Sequence, residues 1–184
     1  MSFIQRKKTK KIFVGNVAIG GFEPISVQSM TNTDTRDVNA TLAQINSLYA
    51  KGCEIVRCAI VDKEACKALS VLKQKSPIPI IADVHFDYKL AICSIENDAD
   101  CVRINPGNIG SFDKVKSIVE AAKSHNIPLR IGVNSGSLEK NLLTKYNHVC
   151  ADALVESAYN WIARFEDMGF TNFKISIKSS NVED

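Results

Sequence analysis

Four cations, three amides, one acid and one histidine recur at matching places in short apolar runs along this chain. The runs are residues 25–31 (ISVQSMT), 55–60 (IVRCAI), 78–86 (IPIIADVHF), 101–108 (CVRINPGN), 129–136 (LRIGVNSG) and 173–178 (FKISIK). The cations are Arg57, Arg103, Arg130 and Lys178, and the amides are Gln28, Asn105 and Asn134. Asp83 and His85 complete the set. A charged side chain inside such a run is costly unless something pairs with it. Repeated run after run, that cost points to a site for a polyanion.

Arginine is the usual bidentate partner of phosphate, and lysine a point-charge partner. Taken singly, any of these arginines could be half of an internal ion pair. Together they meet one interior acid, Asp83, which cannot neutralise all four, so the set favours an anionic ligand with two phosphate groups. Two turns add oxyanion-binding composition, residues 105–110 (NPGNIG) and 134–138 (NSGSL). The Asp83 and His85 pair admits a metal, an acid/base role, or an orienting role toward a ligand hydroxyl. Orientation ranks first, because no third metal ligand is evident. No catalytic nucleophile stands out.

Something must hold these residues side by side. Between the apolar runs lie segments with helical periodicity: 36–51, 62–75, 88–96, 111–125 and 151–168. Asp62, Asp87 and Ser111 are placed as N-caps, and Gly52 and Gly169 as stops. Strand and helix alternate, which predicts a parallel sheet with right-handed crossovers. Parity then chooses the architecture. Val56, Cys58 and Ile60 share one face of their run, while Arg57 and Ala59 share the other. Val102, Ile131, Ile175 and their neighbours oppose polar residues in the same way. A doubly wound sheet wants both faces apolar, whereas a (β/α)8 barrel can keep a polar inner face with its chemistry at the C-terminal mouth. The expectation is an α/β TIM-barrel-type domain spanning 1–184, with a β-hairpin over residues 11–24 as a lid around Gly15-Asn16. Only six barrel strands fit, so the last two are expected in sequence beyond residue 184.

The 184 residues suffice for one domain with a real core, and the balance of 45% hydrophobic to 23% charged is ordinary. A net charge of +3 does not suggest nucleic acid. The basic run Arg6, Lys7, Lys8, Lys10 and Lys11 reads as a solvated arm. No signal-peptide core and no stretch of ~20 apolar residues is present, so a cytoplasmic location is expected, with no membrane partner. None of the cysteines, Cys53, Cys58, Cys66, Cys93, Cys101 and Cys150, forms a C-x-x-C pair. A disulfide is therefore not expected, nor metal ligation by these cysteines.

The strings VGNVAIGG (14–21), VQSMTNTDTRD (27–37), IADVHFDY (81–88), RINPGNIG (103–110), RIGVNSGSLEK (130–140) and FKISIKSS (173–180) carry a resemblance. In order and spacing they resemble the 4-hydroxy-3-methylbut-2-enyl diphosphate synthase family, with Ala18 where that family commonly has Pro. The resemblance implies the substrate 2-C-methyl-D-erythritol 2,4-cyclodiphosphate. Its diphosphate would be gripped by Arg57, Arg103, Arg130 and Lys178, with Gln28, Asp83, His85, Asn105 and Asn134 lining the same mouth. It also implies a two-electron reductive ring opening with loss of water. Electrons would come from flavodoxin or ferredoxin through a 4Fe-4S cluster held by three Cys and a Glu in a C-terminal domain, within a homodimer. None of the six cysteines here stands in for those ligands, so the chain reads as the substrate-binding part. The alternatives are a pterin-binding-type transferase barrel, against which the arginine set argues, and a non-catalytic diphosphate-binding fragment.

Overall fold

The structure, a computed structural model, describes residues 6–182. The chain opens with an antiparallel hairpin, β1 (Ile12–Val14) and β2 (Val17–Ile19), in the register Ile12 to Ile19 and Val14 to Val17. Then follow β3 (Gln28–Met30), α1 (Val38–Ala50), β4 (Ile55–Ala59), α2 (Lys63–Lys75), β5 (Ile80–Val84), α3 (Tyr88–Glu96) and β6 (Cys101–Ile104). A one-turn helix α4 (Pro106–Ile109) precedes α5 (Phe112–Ser124) and β7 (Leu129–Asn134). A 3-10 turn (Ser135–Ser137), α6 (Lys140–Tyr146), α7 (Ala151–Asp167) and β8 (Phe173–Lys178) complete the order. The strands β3 to β8 lie side by side in sequence order, every pair parallel. They form an open half-barrel with β3 and β8 as its edges.

Local chemistry sets the boundaries. Pro79 lacks an N–H, so β5 starts after it, and the Ile80 N–H donates to the Asp100 carboxylate at 2.8 Å. The side chains of Asp37, Asp62 and Asp87 accept from the first-turn N–H groups of α1, α2 and α3. Ser111 stands at the N-cap of α5 but makes no side-chain capping bond. The turns expected at 105–110 and 134–138 carry α4 and the 3-10 turn, and α6 was not anticipated. β3 is shorter than its apolar run, beginning at Gln28 rather than at residue 25.

Parity holds as expected. Val56, Cys58, Ile80, Val84, Val102, Ile104, Leu129, Ile131 and Val133 point outward into one core with Leu69, Leu72, Ile95, Ile118, Leu154 and Phe165. Phe165 meets Phe173 edge-on at 5.4 Å, fastening α7 to the edge strand. On the inner face a second cluster joins Ile55, Ile81 and Cys101 to Val14, with Val17 and Ile19 against it. These three inner residues lie at or near the N-terminal ends of their strands. The hairpin is therefore a floor, not the lid that its position before β3 suggested. Gly15 seals it against the loops below, where an added Cβ would sit 2.7 Å from the Pro79 ring.

A further correction concerns the cysteines. A disulfide joins Cys66 on α2 to Cys93 on α3, with Cα atoms 6.4 Å apart. The two lie 27 residues apart with no motif spacing. Only the packing of neighbouring helices brings them together, which composition and spacing cannot reveal. Cys53, Cys58, Cys101 and Cys150 are free thiols.

Candidate functional site

The inner face is built around one buried acid. Asp83, at 2% side-chain exposure, receives Arg57 Nε at 3.0 Å on Oδ2 and Arg103 Nη1 at 3.2 Å on Oδ1. His85 Nε2 is 3.4 Å from Oδ1, and Arg103 Nη1 lies 3.1 Å from that same ring nitrogen. A guanidinium only donates, so the imidazole nitrogen it meets is an acceptor. Arg57 also directs Nη2 to the Met30 sulfur at 3.1 Å. One carboxylate thus fixes two arginines from the strands on either side of its own, and Arg103 in turn meets the His85 ring.

The loops after β6 and β7 lock over this cluster. Asn105, 2% exposed, donates Nδ2 to Ser137 Oγ at 2.6 Å. With the Asn134 amide turned to suit its neighbours, its oxygen accepts from Arg103 Nη2 at 3.0 Å and from Asn105 Nδ2 at 3.3 Å. Two glycines permit this closeness. A Cβ on Gly107 would fall 2.3 Å from the Ser137 carbonyl oxygen, and one on Gly132 would fall 2.6 Å from Arg103 Nε. Glu139 anchors the second loop from behind, accepting from Ser157 Oγ at 2.8 Å and Trp161 Nε1 at 2.6 Å on α7.

Arg130 is directly opposite Arg103 in the ladder and donates Nε to Ser176 Oγ at 3.1 Å. Burial lowers its pKa, and the charges of Arg57 and Arg103 lower it further. Lys178 faces Asn134 in register at the exposed end of β8. Gln28 stands apart: it is exposed on edge strand β3, in register with Ile55 near the floor, and shares no polar contact with the rest. The other candidates gather on the inner face, with Asp83, His85, Arg103, Asn105, Asn134 and Lys178 at or toward the C-terminal ends of their strands, Arg57 midway along β4 and Arg130 one residue into β7.

Sequence reasoning passed over Lys174, Ser176, Ser137, Gly107, Gly132 and Glu139. Lys174 has the same parity as Lys178 and lies opposite Arg130, which was the available signal. Burial lowers its pKa and Arg130 adds to the effect. Beneath it, burial pushes the Cys101 thiol up to about 11. Arg36, by contrast, is neutralised on the rim by Asp34 at 2.6 Å and Asp62 at 3.1 Å, and it holds the Asp34 carboxyl down at about 2.

The inner face therefore has the chemistry of an anion cradle: forked donors, amides and hydroxyls around a charge excess. Among the described residues no group of three or more His, Cys, Asp or Glu side chains could hold a metal ion. Two of the six cysteines are spent in the disulfide and the four free ones do not gather into such a group, so the thiols of this chain do not fit an iron–sulfur cluster.

The model of the family described as GcpE TIM-barrel domain matches residues 9–184. A relative from Lawsonia intracellularis, named 4-hydroxy-3-methylbut-2-en-1-yl diphosphate synthase (flavodoxin), is 58% identical over 97% of this chain and 50% of its own length. Its namesake from Geobacter sulfurreducens is 56% identical over 96% of this chain and 50% of its own. The chain thus spans about half the length of the curated relatives it matches. Among solved structures, the Yersinia pestis dihydropteroate synthase superposes with a TM-score of 0.63 at 13% identity, over 91% of this chain and 61% of that one. That likeness shows a shared fold alone. With half-barrel, inner-face cluster and matching residues in agreement, this chain belongs to the GcpE TIM-barrel domain family.

Proposed function

We propose that the mouth of this half-barrel binds the diphosphate of 2-C-methyl-D-erythritol 2,4-cyclodiphosphate. The whole protein would be a 4-hydroxy-3-methylbut-2-en-1-yl diphosphate synthase, opening the ring with two electrons and loss of water. The observation that carries this reading is the inner-face charge: Arg57, Arg103, Arg130, Lys174 and Lys178 against Asp83 alone. The names of relatives at 50–58% identity support it. Residues 1–184 are proposed as one substrate-binding domain.

In this reading Asp83 presets the arginines, so that little reorganisation is needed when the ligand arrives. Asn105, Asn134 and Ser137 orient it from the loops, and His85 meets a hydroxyl. Gln28, at the open edge near the floor, would not touch it. The relatives' name points to flavodoxin as electron donor, with ferredoxin the alternative. Because the thiols of this chain do not fit a 4Fe-4S cluster, its ligands would lie elsewhere in the whole protein, in a homodimer of the cytoplasm. None of the helices described here is long and apolar enough to cross a membrane.

Calorimetry tests the site. In the whole protein, Arg103→Ala should weaken cyclodiphosphate binding by about 1.5–3 kcal/mol, the scale of a charged hydrogen bond. Unchanged affinity would sink the assignment. Likeness to dihydropteroate synthases, at 11–13% identity, lends no weight to a transferase.

A further inference from the structure

The charge on the inner face is not spread evenly. Ala59, Asp83, Arg103, Arg130 and Lys174 lie in one register row across five strands. The acid stands near one end of that row and three cations follow in a line. Both oxygens of Asp83 are committed, one to Arg57 and one to Arg103, so each of those arginines has a carboxylate partner and the trio keeps a single net positive charge. Arg130 and Lys174 share no carboxylate. Arg130 has the Ser176 hydroxyl, and Lys174 has no hydrogen bond or ion pair among the described residues. Like charges directly opposite one another in a ladder are destabilising. These two are half-buried rather than solvated at the surface, so water compensates them only in part.

Gly132 and Ser176 form the next inner-face register pair, and Asn134 and Lys178 the pair above that, at the strand ends. The space over Gly132 is taken by the Arg103 guanidinium. On β8, only the short Ser176 side chain stands between Lys178 and Lys174.

We propose that the β7–β8 ladder is a separate phosphate subsite. Arg130, Lys174 and Ser176 would hold one of the ligand's two phosphate groups, with Lys178 closing over it. The Arg57–Asp83–Arg103 cluster is a preset wall that meets the other. This rests on the diphosphate reading and adds two ligand residues, Lys174 and Ser176. A phosphate group laid across the ladder offsets the repulsion between Arg130 and Lys174, for which the described residues provide no carboxylate.

The experiment is titration of inorganic diphosphate into the whole protein, followed by calorimetry at low ionic strength. Lys174→Met should weaken binding at least tenfold, and Ser176→Ala several-fold, with Lys174→Arg staying within threefold of the parent protein. Arg36→Met is the control: it removes the same charge from an exposed, doubly paired position and should leave binding unchanged. The subsite is refuted if Lys174→Met binds diphosphate within twofold of the parent, or no worse than Arg36→Met does. Circular dichroism checks the fold, and if Lys174→Met does not fold, Ser176→Ala decides: affinity equal to the parent's refutes the subsite. A parent protein with no affinity for diphosphate overturns the diphosphate reading itself, and this proposal with it. Retained affinity in the variants overturns only the proposal.

Discussion

Asp83 and Gly132 shape the cradle without being its main contacts. Asp83 turns two repelling arginines into a fixed pair. Removing it would leave buried charge uncompensated, which costs more than the pair itself contributes. Gly132 acts by absence, since its missing Cβ is where the Arg103 guanidinium runs. The clash in Gly132→Ala is with the charged end of a side chain, not with backbone, so Arg103 should swing away and the fold survive. Loss of that donor should weaken diphosphate binding by about 1.5–3 kcal/mol in calorimetry, the scale of a charged hydrogen bond, with a small change in Tm. An unchanged affinity would mean that Arg103 is not held where the structure has it. Sequence could reveal the cations, because alternate-residue parity is visible in letters. It could not reveal why Gly132 is glycine, since that depends on a side chain from the neighbouring strand.

Elements position the loops through contacts that cross the chain. Glu139 ties the loop bearing Asn134 and Ser137 to α7, through donors from Ser157 and Trp161. The sequence shows α7 as strongly amphipathic and its aromatics as core, yet says nothing of the acid they serve. The disulfide is the same kind of long-range fact, stapling α2 to α3. Thiol labelling checks it. In the native 184-residue chain at pH 8, Cys150 should label readily, while Cys53, Cys58 and Cys101 are buried. Burial also pushes Cys58 and Cys101 up to about 11, so both stay protonated and unreactive at that pH. Denaturation without reductant should expose the four free thiols, and reduction should release the remaining pair. Six labels before reduction would rule out the staple.

For the whole molecule, alternation and parity together were enough to choose a barrel, because a polar inner face is incompatible with helices on both sides of a sheet. What the letters hid was depth: Gln28 and Lys178 have the same parity, yet one lies near the floor and the other at the mouth. The half-barrel leaves β3 and β8 with one unpaired flank each, and Val27 and Ile177 are 55% and 45% exposed beside them. Open, apolar strand edges invite pairing with other chains. The 184-residue chain by itself should therefore self-associate at micromolar concentration, visible as a rising sedimentation coefficient. A strictly monomeric chain would show that these edges are protected.

The hairpin floor has a consequence for how the molecule is made. Val14 leaves the ribosome before its partners, since it packs against Ile55, Ile81 and Cys101, the last of which emerges only after four further strands and three helices. The hairpin can close on itself within microseconds, but its apolar side is not fully covered until β6 has followed β4 and β5 out of the ribosome, seconds later. The hairpin, able to fold before its partners exist, is thus sealed late, and in the interval its apolar side is what a nascent-chain chaperone would meet.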